Sequence, residues 1–187
     1  VIRVAGEGCH KKINASLDRP INAFGQMFLR DLRSHEGVLD SCMLVFYRGP
    51  KSYCGEDMVE IFSHGGLGVV KGIVGFLEQL GMREAEPGEF TKTAFLNEKI
   101  DLVQAESVAD LINAQSETAV VAANSSLSGQ FSEQINLLLD GIVKARVVVE
   151  ANIDFPEEEI DGSVLESVKK ELQGFHAEIN ELLSHVK

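Results

Sequence analysis

Near residue 100 the period of the hydrophobic pattern changes. Before it, apolar residues alternate over short runs punctuated by glycine; beyond it, they recur at alternating steps of four and three. Phe131, Ile135, Leu138, Ile142, Ala145 and Val149 make one such series, and Val168, Leu172, Phe175, Ile179, Leu182 and Val186 make another. Side chains spaced in this way share one stripe of a helix, and that stripe must be covered by a neighbour. The chain therefore reads as α+β: a small mixed sheet-and-helix domain over residues 1–98, then a portion of an all-α helical bundle over 99–187.

The helical part carries its own punctuation. Asp101 with Gln104 is a capping-box pattern and predicts a helix that bears Ala105, Val108, Ile112 and Ala119 on one side and runs to Gly129. A second helix should end at Pro156, and Ser163 with Glu166 should open a third. Because Leu182, Leu183 and Val186 still carry the apolar stripe, a further helix is expected beside them, and the C-terminus reads as a boundary within a larger architecture.

In the first part, residues 1–5 read as a strand, followed by a short polar segment with helical character. Residues 21–31 and 38–47 flank a glycine turn at 34–37 and predict a β-hairpin. The second of these runs is apolar on both faces, which suggests an interior, covered strand. Another strand is expected over 58–63, a helix after His64-Gly65-Gly66, and a short strand over 82–85. Alternation on the 58–63 strand sets Glu60 between Met58 and Phe62 on one face. Glu60 is then either on the wet face of an edge strand or an acid placed to pair with a ligand's amino or amide donors.

His64 is a base or a packed, capping histidine; the glycines after it form neither a Walker-type phosphate loop nor a dinucleotide fingerprint. The three cysteines, Cys9, Cys42 and Cys54, have no metal-type spacing and read as ordinary thiols. A formal net charge of -12 argues against tight, unaided binding to a phosphate backbone. Asp154, Glu157, Glu158, Glu159 and Asp161 crowd one link, but their spacing is not that of an EF-hand, so they read as a solvated loop and helix start. No run approaches the roughly 18 apolar residues of a membrane span, and no secretion signal opens the chain, so a cytoplasmic protein is expected. The start on an extended apolar segment without Met suggests that a segment precedes Val1.

Four words of sequence are specific enough to name a family. They are Ser52-Tyr53-Cys54-Gly55-Glu56-Asp57-Met58-Val59-Glu60-Ile61 with His64-Gly65-Gly66; Pro87-Gly88-Glu89-Phe90-Thr91 with Ala94-Phe95-Leu96-Asn97; Lys99-Ile100-Asp101-Leu102-Val103-Gln104-Ala105-Glu106 with Ala109-Asp110-Leu111-Ile112; and Ile153-Asp154-Phe155-Pro156-Glu157-Glu158-Glu159-Ile160-Asp161. In this order, across essentially the whole chain, they resemble the MnmE/TrmE family of tRNA-modification GTPases.

The resemblance implies an N-terminal domain similar to the tetrahydrofolate-binding domain of aminomethyltransferases, which homodimerises and binds a folate such as 5-formyl- or 5,10-methylene-tetrahydrofolate. It also implies action with the flavoprotein MnmG on the wobble uridine U34 of tRNA, installing an aminomethyl or carboxymethylaminomethyl group, with the tRNA held weakly or through the partner. By matching motif, Arg3, Glu60 and Lys99 look like the folate contacts, with His64, Gly65 and Asn97 as candidates for an additional pocket. No catalytic residue and no metal ligand is assigned. GTP, Mg²⁺ and K⁺ belong in the family to a GTPase domain that these residues do not contain, so no GTP hydrolysis is expected of them.

Departures from the family pattern are Cys54 for Thr, Leu67 for Pro, and Glu86 and Thr93 where Arg is frequent. The lost positive charge motivates a second reading, a dimerising scaffold or MnmG-docking module that no longer binds folate. A stand-alone folate-dependent aminomethyltransferase is a third.

Overall fold

A computed structural model describes residues 1–154 and 162–184. The helix stop at Pro156, the carboxylates Glu157, Glu158, Glu159 and Asp161, the side chain of Ser163, and Val186 lie outside the described residues. The elements run β1 (Ile2–Ala5), α1 (Cys9–Asn14), β2 (Met27–Ser34), β3 (Gly37–Tyr47), β4 (Met58–Phe62), α2 (Leu67–Gln79), α3 (Glu89–Leu96) and α4 (Leu102–Asn113), then α5 (Glu117–Leu127), α6 (Gln130–Asp154) and α7 (Gly162–Ser184). They form two compact units, Val1–Asn113 and the helices from Ala114 onward.

In the first unit a four-stranded antiparallel sheet has the order β1-β4-β3-β2. One face carries Val4, Cys42, Leu44, Phe46, Val59 and Ile61, and these merge into a single core with Cys9 and Ile13 of α1 and Ile73, Phe76 and Leu77 of α2. Alternation puts Arg3, Val45, Tyr47 and Glu60 on the opposite face.

The interior position expected for the 38–47 run is found, and its cover on both faces is found in part: Leu44 is fully buried on one face, and on the other Val45 is buried whereas Met43 is 47% exposed. Exposed Met27 and Leu29 of β2 share that open face with Met43. The first hairpin strand also begins later than residue 21. Ile21 has its backbone N–H and C=O bonded to the Asn14 side chain, at 2.8 and 2.9 Å, so its polar groups are satisfied without a strand partner.

The strand expected over 82–85 is not formed. Gly81, with φ 78°, turns the chain out of α2, the Met82 N–H bonds back to the Leu77 carbonyl at 3.2 Å, and Glu89 holds the Arg83 side chain and the Glu86 N–H. The single helix expected from Asp101 to Gly129 is two. Ser116 takes an extended conformation and its hydroxyl accepts the N–H of Ala119 at 3.2 Å, starting α5 afresh. The capping box at the start of α4 is as expected: Asp101 N–H donates to Gln104 Oε1 at 3.0 Å, and Gln104 N–H to Asp101 Oδ1 at 2.9 Å.

In the second unit α6 packs against both α5 and α7. Leu138, Ala145 and Val168 are buried, while Phe131, Ile135, Leu172 and Ile179 of the same stripes remain partly open. Gly141 lies under the ring of Phe175, and a Cβ there would strike the ring. Gly141→Ala should therefore destabilise this helix pair: the gain of about 1 kcal/mol in helix propensity is outweighed by overpacking of about 1–3 kcal/mol. Urea unfolding of Gly141→Ala, and of Gly141→Ala combined with Phe175→Leu, checks this; the double variant should recover the lost stability.

Candidate functional site

The sheet face turned away from the core carries one concentrated polar cluster. Arg3 and Glu60 are direct cross-strand partners in the β1–β4 register. Arg3 Nε and Nη2 donate to Glu60 Oε1 at 3.0 and 2.7 Å. Tyr47, diagonal to Glu60 across β3–β4, donates its hydroxyl to Glu60 Oε2 at 3.1 Å. β4 is an interior strand, not an edge, and the Glu60 side chain is only 13% exposed. A carboxylate so placed requires donors, and both of its oxygens have them. Burial, together with the Glu60 charge, raises the pKa of the Tyr47 hydroxyl above its ordinary value, so it stays a proton donor at neutral pH.

Two rings frame the cluster. The Arg3 guanidinium carbon lies 5.1 Å from the ring centroid of Tyr53 and 5.7 Å from that of Phe90, within cation–π range of both. The Tyr53 hydroxyl shares a 2.9 Å hydrogen bond with Thr91, which ties the 52–56 loop to α3. α3 is itself anchored: Glu89 accepts from the guanidinium of Arg83 and from the backbone N–H of Glu86 at 2.7 Å. The Pro-Gly-Glu-Phe word thus works as a frame, with Glu89 clasping the incoming chain and Phe90 and Thr91 meeting the cluster.

Asn97 and Lys99 sit over Gly55. Asn97 Nδ2 donates to the carbonyl of Cys54 at 2.8 Å, and Lys99 N–H donates to Ala94 O at 2.9 Å. A Cβ on Gly55 would come within 3.0 Å of Asn97 Cβ and 3.3 Å of Lys99 Cγ, and its φ of 84° also favours glycine. Lys99 is therefore next to the 52–56 loop but makes no direct hydrogen bond to Glu60 among the described residues. A cavity of about 670 Å³ follows β1 and shares Arg3 and Phe90 with the cluster, the rest of its wall including Val4, Met82 and Thr93.

His64 and Gly65 stand apart from this cluster. His64 is held by Asp40, whose Oδ1 lies 2.8 Å from Nδ1 and whose Oδ2 accepts the His64 backbone N–H at 2.9 Å. Asp40 precedes Val45, the register partner of Glu60, by five residues on β3, roughly 16 Å along the strand. Burial raises the Asp40 carboxyl pKa, but the N–H and ring of His64 outweigh it and hold the group below its ordinary value.

Asp40, Tyr47, Tyr53 and Phe90 are site or partner residues that sequence reasoning did not single out. Tyr53 and Phe90 lie inside the specific words, and Tyr47 is the diagonal neighbour of Glu60 once the register is known. The three cysteines are buried, and burial pushes the thiols of Cys9 and Cys42 up to about 11, which leaves them unreactive. Among the described residues no group of His, Cys, Asp and Glu is arranged to hold a metal ion, and no helix is long and apolar enough to cross a membrane.

The Arg83 clasp lowers the Glu89 carboxyl from 4.5 to about 2. A depressed carboxylate contributes stability above its unfolded value, near 4.5, and that contribution is lost as pH falls toward 2. Carboxyl-detected NMR titration should place the Glu89 midpoint near 2, and Arg83→Gln should return it toward 4.5.

Two family models together match nearly the whole chain: GTP-binding protein TrmE N-terminus over residues 1–99 and the MnmE helical domain over residues 102–187. Curated relatives carry the description tRNA modification GTPase MnmE. The Bordetella parapertussis protein is 40% identical over 191 residues, covering 100% of this chain and 42% of its own length. That of Chromobacterium violaceum is 54% identical over 128 residues, covering 68% of this chain and 28% of its own length. That of Coxiella burnetii (strain Dugway 5J108-111) is 41% identical over 185 residues, covering 97% and 40%. The chain thus spans less than half the length of the relatives it matches.

Proposed function

Because the chain belongs to the MnmE (TrmE) family of tRNA modification GTPases, we propose that its first unit is the tetrahydrofolate-binding and dimerisation portion of such an enzyme. The observation that carries this reading is Glu60: a nearly buried carboxylate on an interior strand, paired with Arg3, whose guanidinium lies between two aromatic rings and reaches the wall of a cavity large enough for a cofactor. A pterin presents an amino group and a ring N–H on one edge, and a carboxylate accepts such a pair with charge-assisted hydrogen bonds. Lys99, over Gly55, and Arg3 supply positive charge for the ligand's carbonyl groups or glutamate tail. The fold of this unit would then be a variant of the aminomethyltransferase folate-binding domain.

In this reading 5-formyl- or 5,10-methylene-tetrahydrofolate is the one-carbon donor for the C5 group of U34, made together with MnmG, while GTP, Mg²⁺ and K⁺ serve a GTPase domain in the full-length protein. The exposed apolar residues Met27, Leu29 and Met43 on the open sheet face support homodimerisation through this unit. The net charge of -12 supports tRNA being held weakly or through the partner. A cytoplasmic location goes with this role.

A second reading, a dimerising scaffold or MnmG-docking module without folate, is favoured by one observation: Glu60 is already satisfied by Arg3 and Tyr47.

Calorimetric titration of the chain with 5-formyltetrahydrofolate should give saturable binding. Glu60→Ala, checked for native circular dichroism, should weaken it by roughly tenfold to a hundredfold, the value of hydrogen bonds to a charged acceptor. Absence of binding by the parent chain would favour the scaffold.

A further inference from the structure

Positive charge is unevenly placed in this acidic chain. Residues 10–51 hold seven of its 17 Lys and Arg but only four of its 29 Asp and Glu, so this stretch is net positive within a chain of net charge -12. Three of those arginines meet along the 16–25 segment, which runs from the end of α1 past β2 to β3. Leu17 bridges Leu32 of β2, and the Gly25 N–H donates to the Phe46 carbonyl at 2.8 Å.

At one end Arg30 reaches across from β2. Its Nε donates to the carbonyl of Arg19 at 3.1 Å and its Nη1 to that of Leu29 at 2.7 Å, with the guanidinium carbon 5.2 Å from the Phe28 ring centroid. Neutral acceptors thus fix the plane of the group without cancelling its charge. Arg19, its side chain 72% exposed, adds a second charge beside it. At the other end the rings of Phe46, His10 and Phe24 follow one another with centroids 5.2 and 5.3 Å apart, and Arg48 lies 5.8 Å from the Phe24 centroid. Phe24 is exposed, and the Arg48 side chain has no hydrogen bond or ion pair among the described residues. Arg48 follows Cys42, the register partner of Arg30, by six residues, so the two ends are about 20 Å apart. The carboxylates bonded into the strip are occupied: Asp18 accepts the Asp31 N–H and Arg19 Nε, and Asp57 accepts the Gly49 N–H and faces His10.

We propose that Arg19, Arg30, Phe24 and Arg48 form a contact surface for a non-helical stretch of RNA several nucleotides long, with phosphates on the arginines and a base against the Phe24–Arg48 end. This rests on the tRNA-modification reading above and gives the RNA a place on the first unit. Single strands are held in this manner, by cations that follow the backbone and flat groups on which bases stack. A guanidinium whose plane is fixed offers its fork to phosphate oxygens and its face to a base. An acidic peptide would use the charges alone and leave the exposed ring without a role. The acidic remainder of the chain repels phosphates, which confines the RNA to the strip and keeps the contact weak.

The experiment is fluorescence anisotropy of a labelled anticodon stem-loop RNA titrated with the full chain over a series of salt concentrations. Each single-stranded phosphate contact adds about 0.7 to the slope of log K against log salt, so Arg30→Gln/Arg48→Gln should flatten the slope by about 1.4. At about 50 mM salt the same pair should weaken binding roughly tenfold to a hundredfold. Phe24→Leu should weaken binding and leave the slope as it is. Lys144→Gln/Lys170→Gln, which removes as much charge from α6 and α7, should bind as the parent does. Arg30→Lys/Arg48→Lys is run alongside in case the Gln pair does not fold; it should keep the slope and lose affinity.

No binding of the RNA by the parent at about 50 mM salt overturns the surface. So does equal weakening by the two Gln pairs, or an affinity that Phe24→Leu leaves unchanged. Displacement of the RNA by poly-glutamate as efficiently as by unlabelled RNA of equal charge overturns it in favour of an acidic polypeptide. The folate reading is judged separately, because Arg3 and Glu60 lie outside the strip: Arg30→Gln/Arg48→Gln should bind 5-formyltetrahydrofolate as the parent does. RNA binding by a parent that takes up no 5-formyltetrahydrofolate would leave the surface standing and the folate reading fallen.

Discussion

A carboxylate on an interior strand must be given donors, and the first unit is organised around that requirement. Glu60 has β1 on one side and β3 on the other, and each supplies one partner: Arg3 directly across the register, Tyr47 on the diagonal. The partners exist only because β4 is interior. On an edge strand Glu60 would be solvated by water, and neither an ordered arginine nor a tyrosine hydroxyl would be needed.

The second requirement is a rigid frame about that carboxylate. It comes from a segment whose sequence looks merely turn-forming. Glu89 clasps Arg83 and the Glu86 amide, and this fixes the entry of α3. Phe90 and Thr91 then follow on the first turn of α3, one over the guanidinium and the other bonded to Tyr53. Gly55 plays the matching part in the 52–56 loop, where any larger residue would displace Asn97 and Lys99.

The second unit follows the simpler logic of striped helices. Its α6 and α7 pack together, with Gly141 admitting the Phe175 ring and with Leu138, Ala145 and Val168 buried. Ser116 takes an extended conformation and its hydroxyl accepts the amide of Ala119, one of the first-turn N–H groups that a new helix leaves without an intrahelical partner.

Much of this was legible in the sequence. The change of period near residue 100 gave an α+β chain with a helical second part, and the reciprocal Asp101–Gln104 cap fell where the residue types demand it. Glu60 stood out because alternation placed a carboxylate between hydrophobes. Local patterns are legible in this way because they depend on neighbours a few residues away. The tertiary structure decided what depends on distant residues: that β4 is interior, that Arg3 is the residue paired with Glu60, that Tyr53 and Phe90 flank it, and that His64 is bound to Asp40 away from the cluster. Pairing register and strand order are settled by contacts 13 to 57 residues apart in the chain, and no period in the sequence records which strand lies beside which.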